Sequence, residues 1–194
     1  MATSSTMLEL GTKAPEINLV DVITDSKISL ETFSDKKALL VMFICRHCPY
    51  VKHVQDHLAK LGSDYRDKEL GIVAISANDP AAYPEDAPES LKKQAEDLGF
   101  GFPYCFDQNQ QAAKAYTAAC TPDFFLFDKN RELVYRGQLD DSRPGSDIPV
   151  TGKDLRNAID AALEDKPVEQ NQKPSLGCGI KWKEGNEPDY FHPY

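Results

Sequence analysis

Hydrophobic and polar positions alternate along this chain with changing periods, and the changes predict its elements. Residues 38–44, Ala-Leu-Leu-Val-Met-Phe-Ile, form an unbroken apolar run, the pattern of a strand covered on both faces of a parallel sheet. Directly after it, Val51, Val54, Leu58 and Leu61 recur at spacings of three and four, which marks the core face of a helix. Residues 71–76 read as a second buried strand, joined to the first by a right-handed crossover, and Leu91, Ala95 and Leu98 mark a second helix. Between them, residues 78–88 carry three prolines and read as a surface loop near the strand ends.

Residues 17–22 and 28–30 suggest an N-terminal strand or hairpin ahead of the main sheet. Further on, residues 112–119 are helical in composition. Residues 124–127 and 132–135 are strands around a polar turn, and residues 155–163 are a terminal amphipathic helix. After residue 165 the chain is polar and proline-broken, except for a denser patch at residues 176–182 that is expected to dock on the domain. The whole reads as one α/β domain in a chain of 194 residues.

Charge narrows the partners. A formal net charge of −9 disfavours polyanions, so neither nucleic acid nor a membrane surface is expected as a partner. The first residues lack a basic stretch followed by an apolar one, and no run is long enough to span a bilayer, so the expected location is the cytoplasm. Oligomeric state is not readable. Five cysteines, sparsely spaced, do not suit a secreted disulfide framework and favour a catalytic or metal role.

The chemistry concentrates in Cys45-Arg46-His47-Cys48-Pro49, at the junction of the buried strand and the first helix. A thiol reacts as thiolate, and a helix N-terminus favours the anion through its free N–H groups and partial positive charge. Two intervening residues let the second thiol reach the first, so that Cys45 and Cys48 can form and resolve a disulfide without any bound cofactor. Arg46 and His47 are expected to tune the pair, lowering a thiol pKa from about 8.5 into the range of roughly 3.5–7.5. A zinc site would need two more ligands, and no second Cys-x-x-Cys exists, so no metal is expected.

Four landmarks together carry a resemblance: the Gly11 to Pro15 entry, the Cys45 to Cys48 motif after an apolar strand, Phe102-Pro103-Tyr104 before Asp107, and Thr121-Pro122-Asp123 before Phe124. The chain resembles the thioredoxin-like superfamily, in its peroxiredoxin-like branch related to alkyl hydroperoxide reductase and thiol-specific antioxidant proteins. The resemblance implies a thioredoxin-like fold, with a central mixed sheet flanked by helices, an N-terminal strand or hairpin extension and an extended C-terminal tail. The expected division is a flexible N-terminus over residues 1–9, the domain over 10–164 and a docking tail over 165–194. It also implies that Pro122 is cis and lies against the redox cysteines, with Thr121 and Pro122 binding substrate chain.

Peroxiredoxins carry a threonine or serine three residues before the peroxidatic cysteine. Here Cys45 stands three before Cys48, and Met42 three before Cys45. Thiol–disulfide exchange with a protein or low-molecular-weight substrate, driven by an upstream dithiol reductant, is therefore the first expectation. A peroxiredoxin-like antioxidant peroxidase and a non-catalytic thioredoxin-like binding module are the alternatives. The thioredoxin pattern makes Cys45 the nucleophile and Cys48 the resolver, the favoured order, whereas Pro49 at the first helical position would make Cys48 the N-cap in a peroxiredoxin-like register.

Other candidates are weaker. Cys178, between two glycines, can serve as a third redox cysteine or simply pack. Cys105 and Cys120 read as core residues. His53 and His57 read as a solvated helix face, and Arg136 and the run 140–143 as charged surface.

Overall fold

A computed structural model describes residues 2–191. Three short strands come first, β1 (Ala2–Ser4), β2 (Asn18–Val20) and β3 (Lys27–Ser29). Then follow β4 (Ala38–Phe43), α1 (Pro49–Asp64), β5 (Leu70–Ser76), α2 (Pro88–Leu98), β6 (Tyr104–Phe106) and α3 (Gln111–Ala115). The chain continues through β7 (Cys120–Thr121), β8 (Asp123–Phe127), β9 (Leu133–Gly137), α4 (Lys153–Leu163) and β10 (Leu176–Gly179).

The central sheet has the order β6-β5-β4-β8-β9. β4 pairs in parallel with β5 and antiparallel with β8, so the sheet is mixed and its middle strand has no free edge. Both faces of β4 are covered, which explains the apolar run. Leu40 and Met42 face the layer of α1, α2 and α4 with Leu58, Leu91 and Ile159. Leu39, Val41 and Phe43 face a second layer with Ile28, Tyr116, Phe125 and Phe127. This is the thioredoxin-like α/β architecture. Among the described residues, no helix is long and apolar enough to cross a membrane.

Two segments depart from the sequence expectations. Ala2–Ser4, expected within a flexible N-terminus, is a strand, because β1 finds a partner in the far end of the chain and pairs antiparallel with β10. The loop over residues 78–88, expected at the surface, turns two polar side chains inward: Asn78 and Asp86 are buried. β10 in turn pairs antiparallel with β7, giving a second sheet of order β1-β10-β7. Ile180 and Trp182, just beyond β10, pack on the second core layer.

Candidate active site

The end of β4 delivers Cys45, and α1 begins at Pro49 with Cys48 as its N-cap in an extended conformation. Proline suits the first helical position because it has no N–H to leave unpaired there. Both cysteines are fully buried and all five cysteines are free thiols. The Thr121–Pro122 peptide is cis. Thr121 touches both sulfurs: its Oγ1 lies 3.3 Å from Cys45 Sγ, and its carbonyl accepts from Cys48 Sγ at 3.2 Å. The structure thus brings Cys45, Cys48, Thr121 and Pro122 into one cluster.

The two thiols are driven in opposite directions. Burial pushes Cys45 well up, and its contact with Cys48 and the negative charge of Asp86 push the same way. Cys48 is held down, because it accepts hydrogen bonds from Cys178 and from Cys45, while the Thr121 carbonyl opposes its ionisation. Cys178 belongs to this cluster: it is half-buried in β10, opposite Thr121 in register, and its own thiol is pushed up by its bond to Cys48.

Arg46 and His47 are organised by a residue the sequence did not single out. Asp86, fully buried, accepts the backbone N–H groups of Arg46 at 2.8 Å and His47 at 3.1 Å through Oδ1. Its Oδ2 meets His47 Nδ1 and accepts from Asn78 Nδ2 at 2.8 Å. The Arg46 guanidinium donates to the Ser90 carbonyl of α2 at 3.2 Å. His47 Nδ1 lies 3.9 Å from Cys45 Sγ, and its ring stacks on Tyr83 with centroids 4.5 Å apart. Lys181, from the tail, sits 5.3 Å above the other ring of that stack, Tyr83, and its backbone N–H donates to Asn78 Oδ1 at 2.8 Å.

Asp86 and Asn78 could be flagged in the sequence only as acid and amide in a proline-framed loop, indistinguishable from Asp79 and Glu85 beside them. Donor atoms of Cys45, His47 and Asp86 lie within 4.8 Å of one another, a set of the types that bind metals. The Asp86 oxygens are, however, already shared among Arg46, His47 and Asn78.

The remaining candidates lie outside the cluster or at its margin. Cys105 is buried and pushed up to about 12, mainly by that burial. Cys120 is buried beside Pro122, its Sγ 3.8 Å from the Pro122 carbonyl. The histidines of α1 are not a free solvated face: His53 Nε2 is 3.2 Å from Ser142 Oγ, and His57 Nε2 accepts from Arg156 Nε at 3.0 Å. Arg136 ties the N-terminal segment to the tail through Leu8 and Gln172. Asp140 is buried and accepts the N–H groups of Thr151 and Gly152, so the 140–143 run shapes the approach to α4.

A mixed sheet with thiols at the head of its first long helix and a cis proline against them defines the redoxin class of thioredoxin-like proteins. Residues 10–136 match the AhpC/TSA family, and the chain belongs to that family. Two solved structures follow nearly its whole length. An uncharacterized conserved protein from Geobacillus kaustophilus is 54% identical, with 94% of this chain and 97% of that chain covered and a TM-score of 0.92. A hypothetical protein from Sinorhizobium meliloti 1021 is 48% identical, with 94% and 100% covered and a TM-score of 0.93. The thiol-disulfide oxidoreductase ResA of Halalkalibacterium halodurans is 24% identical over 98 residues, 50% of this chain and 52% of that relative. Protein FixW of Rhizobium leguminosarum is 25% identical over 138 residues, 68% of this chain and 62% of that relative. The matches therefore span between half and two thirds of these two curated relatives.

Proposed function

We propose that the chain is a thiol–disulfide oxidoreductase in which Cys45 and Cys48 form the redox-active disulfide. The observation that carries this reading is that both sulfurs, at the head of α1, contact the same residue of the cis Thr121–Pro122 segment. AhpC/TSA membership and the relative described as a thiol-disulfide oxidoreductase support a redox activity. Electrons are stored in the disulfide, so exchange needs no bound cofactor, and an upstream dithiol supplies them. Thiol and disulfide groups of proteins or small molecules are the substrates.

The opposed shifts of the two thiols support a division of labour in which Cys48 is the thiolate and Cys45 the proton-bearing partner. This reverses the order the thioredoxin pattern favours. His47, held between Asp86 and Tyr83, keeps its ring beside Cys45 with Nδ1 bonded to the carboxylate. Peptide mapping under non-reducing conditions after diamide treatment tests the pair. A Cys45–Cys48 disulfide, and dithiol-dependent insulin reduction abolished by Cys45→Ser and by Cys48→Ser, is the expected result. Two thiols still free after diamide would leave a binding module instead.

AhpC/TSA membership with a depressed Cys48 thiol at a helix N-cap favours a second reading, thiol peroxidase. Cys45 stands where peroxiredoxins carry a hydroxyl, although the Thr121 hydroxyl approaches from another strand. Stoichiometric hydrogen peroxide converting Cys48 to a sulfenic acid in the Cys45→Ser/Cys178→Ser double variant, where neither thiol is left to condense with it, would select it.

A further inference from the structure

Cys45 and Cys48 are both at 0% exposure, so an external thiol cannot meet either of them in this arrangement. Among the residues packed on this cluster is Cys178 of β10, which pairs with β7 so that Cys178 stands opposite Thr121. Thr121 is the residue that contacts both buried sulfurs. The approach is very close: a Cβ at Gly177 would lie 2.0 Å from the Thr121 carbonyl oxygen, so only glycine lets β10 settle there. An extended strand, antiparallel to the segment before the cis proline and presenting a cysteine to the redox pair, has the geometry of a substrate held for exchange. Here that strand belongs to the protein itself.

Cys178 also differs from its two neighbours in position. It packs against the cluster that holds Cys45 and Cys48 and is half-buried, whereas Cys45 and Cys48 are closed off. Of the three cysteines it is the one that is not fully buried.

Resting on the reading of Cys45 and Cys48 as a redox pair, we propose that Cys178 is a third catalytic cysteine, the relay that passes the disulfide between that buried pair and an external dithiol. Starting from the Cys45–Cys48 disulfide, Cys178 Sγ attacks Cys48 Sγ. The Cys48–Cys178 bond forms, the Cys45–Cys48 bond breaks, and the proton lost by Cys178 ends on Cys45. One thiol of the external dithiol then attacks Cys178 Sγ, and Cys48 leaves as a thiol with the attacking proton. The second thiol of the dithiol attacks the first sulfur, releasing Cys178 as a thiol and the dithiol as its disulfide. Two electrons and two protons have moved from the dithiol to the pair.

Two measurements test this on the full chain. In the Cys45→Ser variant, diamide is expected to yield a Cys48–Cys178 disulfide, identified by non-reducing peptide mapping. In oxidised Cys178→Ser, which keeps its Cys45–Cys48 disulfide, reduction by dithiothreitol is expected to slow by about tenfold or more while reaching the same end state. Cys48 and Cys178 remaining separately alkylatable in diamide-treated Cys45→Ser, or Cys178→Ser reduced at the wild-type rate, would overturn the relay. Either of these results leaves the redox pair standing provided wild type still forms Cys45–Cys48. Absence of that bond in wild type would instead remove the proposed function and the relay with it.

Discussion

His47 is bound to Asp86 twice, through its backbone N–H at 3.1 Å to Oδ1 and through its ring Nδ1 to Oδ2. The carboxylate therefore fixes both the path of the chain between the two cysteines and the orientation of the imidazole beside Cys45. It also places a negative charge where it disfavours a Cys45 thiolate. Asp86→Asn keeps an acceptor for the N–H groups and removes that charge, so the Cys45 pKa is expected to fall relative to wild type. Peptide-resolved alkylation across pH measures it, and an unchanged or higher value would refute the electrostatic role. Asp86→Ala strands the N–H groups of Arg46, His47 and Asn78 and should destabilise the fold by about 3 kcal/mol or more in urea unfolding.

Asp123, directly after the cis proline, is fully buried, and that burial raises its pKa from 3.8 to about 7. Below pH 3.8 the carboxyl is protonated in both folded and unfolded chains, and its titration costs nothing. Between 3.8 and about 7 the unfolded chain has released the proton and the folded one has not, so stability falls as pH rises. The slope ends above the folded value. The loss attributable to this group is about 4 kcal/mol, from roughly 1.4 kcal/mol per pKa unit. Asp123→Asn should remove it, so that the variant gains on wild type from pH 4 to pH 7 in urea midpoints. A constant difference between the two proteins across that range would show that Asp123 does not titrate in this window.

How much of this was readable in the sequence depends on the range of the interaction. The 38–44 run announced a doubly covered strand because its apolarity is a property of consecutive residues, and α1 announced itself through Val51, Val54, Leu58 and Leu61. The Cys45 to Cys48 pair was legible for the same reason. Asp86 was not, since its value lies in meeting two N–H groups 39 and 40 residues away, and nothing local separates it from Glu85. The ends of the chain were harder still. β1 is three polar or small residues with no periodicity to read, and it becomes a strand only because β10 offers it an edge. His57 looked solvated because Arg156, which binds it, is 99 residues on.

Gly177 sets the distance between the tail and the cis segment. A Cβ there would meet the Thr121 carbonyl oxygen at 2.0 Å and its carbon at 2.6 Å, both backbone atoms that cannot rotate aside. Gly177→Ala should therefore lift β10 and cost about 1–3 kcal/mol, the usual penalty for overpacking. Lifting also breaks the Ile180 N–H bond to the Ala119 carbonyl, 3.1 Å in the native arrangement. Faster amide exchange at Ile180 and faster alkylation of Cys48 are expected together. Wild-type protection at Ile180 in a fully stable variant would mean that the strand accommodates the methyl group without moving.

Cys178 is the largest single reason that Cys48 is held down. The groups around Cys48 divide into the Cys178 and Cys45 thiols and the backbone N–H groups of Val51 and Cys178, which favour its thiolate, and the Thr121 backbone carbonyl, which can only accept from its thiol. Removing one donor shifts that balance toward the thiol. Cys178→Ala should raise the Cys48 pKa, and Cys178→Ser, which retains a hydroxyl donor of nearly the same reach, should leave it between Ala and wild type. The pH dependence of Cys48 alkylation in the two variants reads this order directly. An Ala variant with the wild-type Cys48 pKa would assign the stabilisation of the thiolate to Cys45 and the surrounding backbone N–H groups, and a Ser variant as high as Ala would show that the sulfur itself, rather than its proton, is what Cys48 responds to.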